Sequence, residues 1–228
     1  MPASLQGKTA LVTGASRGIG RAIALSLAQN GADLVLTSSQ AQGTAAVEAQ
    51  VRALGRKATG FKADLARRDE VDALIAHAGA IDWLINNAGT FHRAPVVSTA
   101  DADWDRSLEV NLTVPFRLSR AFLPSLLKRG HGGIVNISSI SGTLGTPQFS
   151  AYCASKWGLN GFTKALAEEL KNTGVKVFAV LPGSTDTDML KAAGFTPVMK
   201  PDDVANVVRY LCSDAPLAMS GSLVEVFG

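Results

Sequence analysis

Lys8-Thr-Ala-Leu-Val-Thr-Gly-Ala-Ser-Arg-Gly-Ile-Gly20 is the stretch that decides the fold. Its first six residues form an apolar, partly β-branched run with the character of a strand. Gly14, Gly18 and Gly20 then permit a tight turn and close backbone approach, and residues 21–29 continue with helical periodicity until Asn30-Gly31 ends them. A helix leaving such a turn aims free N–H groups and its positive dipole end at the turn, where a phosphate fits. The spacing is G-x-x-x-G-x-G, not the G-x-G-x-x-G of the commonest dinucleotide fingerprint. A tight strand-to-helix turn with no ligand would look the same, so the loop alone leaves both readings open.

The same alternation continues outward. Further strands are expected at 34–37, 58–63, 81–85, 133–137, 175–181 and 223–227. Helices are expected around Val47, Val51 and Leu54, then over 69–78, 102–129, 151–171 and 202–212. Strands alternating with helices pair in parallel through right-handed crossovers. Strands apolar throughout are covered on both faces. The expectation is therefore an α/β chain with a doubly wound parallel sheet, a single Rossmann domain over residues 1–228, with ligands beyond the carboxyl ends of the strands.

The chain has 228 residues, 46% hydrophobic and 18% charged, the balance of a globular domain and not of a disordered one. No apolar run reaches the roughly 18–20 residues that a membrane span needs. Residues 1–8 carry neither the basic nor the apolar part of a secretory leader. Cys153 and Cys212 lack a CxxC spacing, so no disulfide framework and no metal site are expected, and the setting reads as reducing and cytoplasmic. The net charge of +3 comes from scattered basic residues, which argues against a nucleic-acid partner.

Tyr152-Cys-Ala-Ser-Lys156 places a phenol and an ammonium on one helix face. A free phenol has a pKa of about 10, too high for easy proton exchange near neutrality, and a neighbouring cation lowers it. Such a pair suits acid–base work, although many solvated helices carry the same spacing. Ser139 ends the fifth strand on the ligand side, where its hydroxyl could meet a carbonyl. Asn111 falls inside the long helical region and could perturb it.

Together with Asp64-Leu65, Asn86-Asn-Ala-Gly89, and Pro182-Gly183 with Thr187, these segments resemble the short-chain dehydrogenase/reductase family over nearly the whole chain. Within it they are most similar to the broad 3-oxoacyl-(acyl-carrier-protein) reductase-like group. The resemblance implies an oxidoreductase moving a hydride between nicotinamide and a carbonyl or alcohol. It implies Tyr152 as proton donor and acceptor, and Lys156 on the nicotinamide ribose and as the cation that lowers the tyrosine pKa. Ser139, in preference to Ser138, would polarise the substrate oxygen, and Asn111 would hold a water extending the relay. Gly14, Ser16, Arg17, Gly18, Ile19 and Gly20 would form the phosphate loop. Asp64, beside Leu65, would take the adenine amino group. Asn87, Ala88 and Gly89 would line the adenosine side. Pro182, Gly183, Thr185 and Thr187 would wrap the nicotinamide and pyrophosphate.

NADP(H) is expected ahead of NAD(H), because Ser38 stands where an NAD site places an acid after the second strand. Asp33 belongs at the other end of the sheet, and Arg17 with the Thr37 and Ser38 hydroxyls could meet a 2′-phosphate. The substrate is a small ketone or alcohol, its choice depending on Leu144, Gln148, Phe149, Ser184 and a lid (190–200) short enough to leave the mouth open. A narrower alternative is a 3-oxoacyl-thioester reductase whose Lys128, Arg129 and Lys171 attract an acidic carrier protein. An alternative of another class is a non-catalytic dinucleotide sensor or scaffold, against which Tyr152 and Lys156 both argue. The resemblance also implies a homotetramer or homodimer, through outward Phe116, Phe122, Leu159 and Phe162.

Overall fold

The computed structural model describes residues 5–40 and 43–228. Residues 1–4, part of the segment read for a leader, lie outside the described residues, as do 41–42. Among the described residues seven strands form one wholly parallel sheet in the order β3-β2-β1-β4-β5-β6-β7. They are β1 (Thr9–Val12), β2 (Asp33–Ser38), β3 (Ala58–Lys62), β4 (Trp83–Asn86), β5 (Gly133–Ile137), β6 (Lys176–Pro182) and β7 (Leu223–Val226). The helices are α1 (Gly18–Gln29), α2 (Ala45–Ala53), α3 (Arg68–Ala78), α4 (Asp101–Leu108), α5 (Val114–Arg129), α6 (Ser150–Glu169), α7 (Asp188–Ala193) and α8 (Pro201–Ser213). The doubly wound fold expected from the alternation is the one observed, and the strand order reverses between β1 and β4.

Both faces of the sheet are covered, which is why its strands read as unbroken apolar runs. Leu36, Ile85, Val135 and Val180 pack with Ile23 and Leu27 of α1, Val51 of α2 and Leu211 of α8. Their sequence neighbours Val35, Leu84 and Ile134 point the other way, onto Leu74 of α3, Leu118 and Leu126 of α5 and Leu166 of α6. The alternation corrects one expectation. Phe122 and Leu159 face inward, 4% and 1% exposed, because Phe122 shares the Leu118–Leu126 stripe and Leu159 the Thr163–Leu166 stripe. Phe116 does face out, and so does Trp157 at 55% exposed.

The long helix expected over 102–129 is not continuous. A π-helical stretch at Glu109–Thr113 separates α4 from α5 and contains Asn111. Such single wide turns mark functional positions in many helices. A buried polar chain holds α6 to the sheet: Asn86 Nδ2 donates to Asn136 Oδ1 (2.8 Å), and Asn136 Nδ2 donates to Thr163 Oγ1 (2.9 Å). Asn160 Nδ2 adds a bond to the Gly142 carbonyl (3.0 Å).

Asp82 organises the opposite, amino-terminal edge. Its carboxylate accepts from the Thr9 N–H (2.8 Å), with Lys8, Arg129 and His131 at 3.4–3.8 Å. Asp33, the first residue of β2, sits on the same edge and pairs with Arg56 at 2.7 Å.

Asn136→Ala should lower stability by about 1–3 kcal/mol, since it strands the buried Asn86 amide and frees α6 from β5. A lower urea midpoint at unchanged slope is the expected result.

Candidate active site

The carboxyl ends of the strands open onto one cleft of about 800 Å³. Ser139, Tyr152, Lys156 and every residue expected to hold the cofactor line it. Asn111 does not; it is buried behind the wall, 1% exposed. Thr37, expected near a 2′-phosphate, lines the cleft too, while the sequence reading missed Phe91, Arg106 and Phe195. No motif contains them, and only the folded chain brings them to this edge.

The phosphate loop is built by contact with the loop after β4. Thr13 Oγ1 accepts from the Asn87 and Ala88 N–H groups at 3.0 and 2.9 Å. Asn87 Nδ2 donates back to the Thr13 carbonyl at 2.8 Å and more weakly to Gly14. At Gly14 φ is +64°, and a Cβ would lie 2.9 Å from Ala88 Cα. At Gly20 a Cβ would collide with the Gly14 carbonyl and the Asn87 amide. The glycines therefore serve backbone packing at the switch point and leave the N-terminus of α1 bare toward the cleft.

Ser138 and Ser139 part company at the end of β5. Ser138 turns inward toward the Lys156 carbonyl (3.4 Å). Ser139 Oγ accepts from the Ser141 N–H (3.1 Å), and its hydroxyl acts on the Tyr152 phenol from the same wall of the cleft. Lys156 lies beneath the tyrosine, its Nζ 5.7 Å from the ring centroid and donating to the Ile137 carbonyl at 2.8 Å. Asn111 Nδ2 donates to the Thr90 carbonyl (2.8 Å) and to Ser155 Oγ (3.0 Å), while its Oδ1 accepts from the Thr90 N–H (2.9 Å). The wide turn thus fastens the loop after β4 to the helix carrying Tyr152 and Lys156.

Burial dominates the electrostatics. It pushes the Tyr152 phenol above its ordinary range, partly opposed by the neighbouring Ser139 hydroxyl. It pulls the Lys156 ammonium down to about 8.

Ser38 closes its own turn, donating to the Gln40 carbonyl (3.0 Å) and accepting from the Gln40 N–H (3.3 Å). Thr37 Oγ1 beside it is buried with no partner among the described residues. Arg17 reaches across to the lid, its Nε 3.3 Å from Asp188 Oδ2 with both side chains exposed. At the far end Arg106 approaches Asp64 at 3.7 Å. The lid is ordered into α7, with Thr187 Oγ1 accepting from the Leu190 N–H (3.2 Å) as its cap. Phe149 and Ser184 line the cleft, whereas Leu144 and Gln148 do not. Lys128 and Arg129 end α5 and Lys171 lies just past α6, both helices ending at the amino-terminal edge of the sheet. Arg129 bonds Ile81 and Asp82 there, and Lys171 pairs with Glu168, so within one chain they do not border the cleft.

A sequence profile for short chain dehydrogenases matches residues 8–196. The chain is 38% identical to the 3-oxoacyl-[acyl-carrier-protein] reductase of Synechocystis sp., over 99% of this chain and 97% of that protein. Among solved structures it is similar to a Beutenbergia cavernae protein assigned as an NAD(P)-dependent gluconate 5-dehydrogenase, with NADP bound at low occupancy. That match has a TM-score of 0.91 at 34% identity, over 99% and 97% of the two chains. It is likewise similar to 7α-hydroxysteroid dehydrogenase complexed with NADH and 7-oxo glycochenodeoxycholic acid, with a TM-score of 0.92 at 31% identity over 98% and 94%. The profile match and the full-length identity place the chain in the short-chain dehydrogenase/reductase family of NAD(P)-dependent oxidoreductases.

Proposed function

We propose that the protein is an NADP(H)-dependent carbonyl reductase in which Tyr152 delivers the proton. The observation carrying this reading is that Ser139, Tyr152 and Lys156 line one cleft that begins at the phosphate loop, with the Lys156 Nζ 5.7 Å from the Tyr152 ring centroid. The cleft fits a dinucleotide: the glycines admit close backbone approach, and the orphaned Thr37 hydroxyl at the end of β2 is a polar atom in need of a partner. The bound nicotinamide would supply the hydride. Ser139 would orient the substrate oxygen, and Tyr152 would donate from its hydroxyl to that oxygen. A phenol raised by burial keeps its proton near neutrality, which suits donation and hence reduction. Lys156 would hold the ribose as a cation and stabilise the phenolate left behind. Asn111 would keep Thr90 and Ser155 in place around this group, with a water on its free lone pair completing the relay.

Residues 36–40 carry no carboxylate to repel a 2′-phosphate, which favours NADP(H), with NAD(H) as the weaker alternative. Arg17 would contribute by leaving Asp188. A 3-oxoacyl thioester substrate is the second reading, favoured by the relative of that name. One sheet carrying the whole cleft supports reading the chain as one domain. Cys153 and Cys212 as free thiols are in keeping with a reducing, cytoplasmic setting. A homotetramer or homodimer is supported by Phe116 and Trp157, exposed on α5 and α6.

Tyr152→Phe should reduce ketone turnover by about 10²–10⁴-fold and leave NADPH affinity nearly unchanged, by steady-state kinetics and fluorescence titration. A panel of ketones including an acetoacetyl thioester separates the two substrate readings.

NADPH should bind more tightly than NADH, and Ser38→Asp should reverse the order. Arg17→Ala should weaken NADPH binding by about tenfold or more. Asp188→Asn, which frees Arg17 from an exposed pair, should strengthen it by about two- to fivefold. Because Lys156 is cationic below about 8 and neutral above, affinity should fall as pH rises through that value, and Lys156→Met should flatten the profile. Tighter NADH binding by the wild type would refute the cofactor assignment.

Light scattering should show a dimer or tetramer, and Trp157→Glu, which charges the exposed face of α6, should shift it toward monomer.

A further inference from the structure

The end of the cleft beyond Ser139 and Tyr152 is walled by rings from three separate segments. Phe91 follows β4, Phe149 immediately precedes α6, and Phe195 follows α7. Phe149 sits between the others, its centroid 5.7 Å from Phe91 and 5.8 Å from Phe195, at interplanar angles of 26° and 37°. Phe195 remains 44% exposed, so part of its face is free. The charged side chains that line the cleft are Arg17, Asp64, Arg106, Asp188 and Lys156. The first four form the pairs at the phosphate loop and beyond β3, and Lys156 is buried under the tyrosine. The aromatic end therefore offers stacking surface, with no charged side chain among those that line it.

The wall is held from behind. Arg93 does not line the cleft, but its Nε donates to Gln148 Oε1 (2.9 Å) and its Nη1 to the Ala193 carbonyl at the end of α7 (3.1 Å). Its guanidinium lies 5.9 Å from the Phe149 centroid. Gln148 has φ of +69°, an uncommon conformation for a non-glycine residue, and its carbonyl accepts from the Ala94 N–H at 2.9 Å. Such strain persists where the surroundings hold it and is concentrated at functional sites. One cation thus ties the loop after β4, the residue before Phe149 and the lid into a single piece.

We propose that this end of the cleft is an aryl-binding subsite, which selects uncharged ketones bearing an aromatic group near the carbonyl, with Arg93 as the residue that positions it. The proposal rests on the carbonyl-reductase reading above and narrows its substrate class. A carboxylate at this end would be desolvated against rings, and the nearby Arg93 guanidinium is already engaged by Gln148, the Ala193 carbonyl and the Phe149 ring. A flat aryl group gains offset or edge-to-face contact with Phe149 and Phe195 that a saturated ring of similar size does not.

The test compares methyl phenyl ketone, methyl cyclohexyl ketone and 4-acetylbenzoate with NADPH. The phenyl ketone should exceed the cyclohexyl ketone by about two- to tenfold in kcat/KM, the range of aromatic pairing. It should exceed the carboxylate by more than that. Phe195→Leu should bring the phenyl-to-cyclohexyl ratio close to one. Arg93→Met should raise KM for the phenyl ketone far more than it lowers kcat, the pattern of a loosened wall and not of lost chemistry. A parallel calorimetric titration uses the non-reducible amides acetanilide and N-cyclohexylacetamide. If no ketone turns over, the reductase reading falls while these amides still decide the subsite. Tighter acetanilide binding that Phe195→Leu abolishes supports it. Equal binding of the two amides, or equal turnover of the phenyl ketone and 4-acetylbenzoate, overturns it.

Discussion

The exchange of hydrogen bonds between Thr13 and Asn87 joins the two halves of the sheet at the point where every other part of the cleft is referenced. Thr13 follows β1 and Asn87 follows β4, the two strands between which the strand order reverses. The chain leaves β1 for β2 on one side and resumes at β4 on the other, so nothing sequential bridges the crevice there. A single threonine hydroxyl satisfies two N–H groups of the facing loop, and the asparagine amide answers with two donations. Backbones held that closely leave no volume for a Cβ at Gly14 or Gly20. The glycine pattern is thus a consequence of this junction as much as of any phosphate. The same contact that packs the loop also bares the helix terminus toward the cleft.

A second constraint lies on the other side of the cleft, where polar groups are buried in order to hold α6. The chain from Asn86 through Asn136 to Thr163, the Ser138 contact with the Lys156 carbonyl, and the Asn160 bond to Gly142 all join β4, β5 and the following turn to one helix. Each such group is costly if it loses its partner, which makes the arrangement specific and not merely sticky. Asn111 ties the same helix to the loop after β4. Tyr152 and Lys156 are therefore carried on the element with the most polar anchors, whereas the phosphate loop is fixed by backbone packing. Catalytic geometry tolerates little displacement, and rigid support of this kind is what it needs.

The strands and the glycine loop are legible in the sequence because they follow from local rules. Residues 133–137 read as a strand and form β5, and the Tyr152–Lys156 spacing alone puts both groups on one face. What escapes the sequence depends on partners far along the chain. Asn111 sits in a wide turn that adds no break to the apolar pattern on either side, so 102–129 reads as one helix. The six residues of α7 are too few to show a period, and the lid reads as open until Phe195 is placed against Phe149. The resemblance points Phe122 and Leu159 outward, whereas their own helical stripes with Leu118, Leu126 and Thr163 point in. Arg17 reads as free for a phosphate, and its pairing with Asp188 appears only when the lid folds back over the loop.

That pairing connects cofactor choice to the lid. Arg17 belongs to the phosphate loop and Asp188 is the first residue of α7, whose cap Thr187 also touches the loop at Gly18. An exposed ion pair of this kind contributes less than about 1 kcal/mol, whereas a charge-assisted bond to a phosphate is roughly twice as strong as a neutral one. On the proposed NADP(H) preference, a 2′-phosphate would outcompete the carboxylate for the guanidinium, while a 2′-hydroxyl would not. Discrimination between the two cofactors would then lie in a difference of partners for one arginine, and not in a pocket shaped for phosphate. On that proposal the lid would give up an anchor at the loop when the cofactor is gripped, and the Arg93 contact at the other end of α7 would be left to hold it over the aromatic wall.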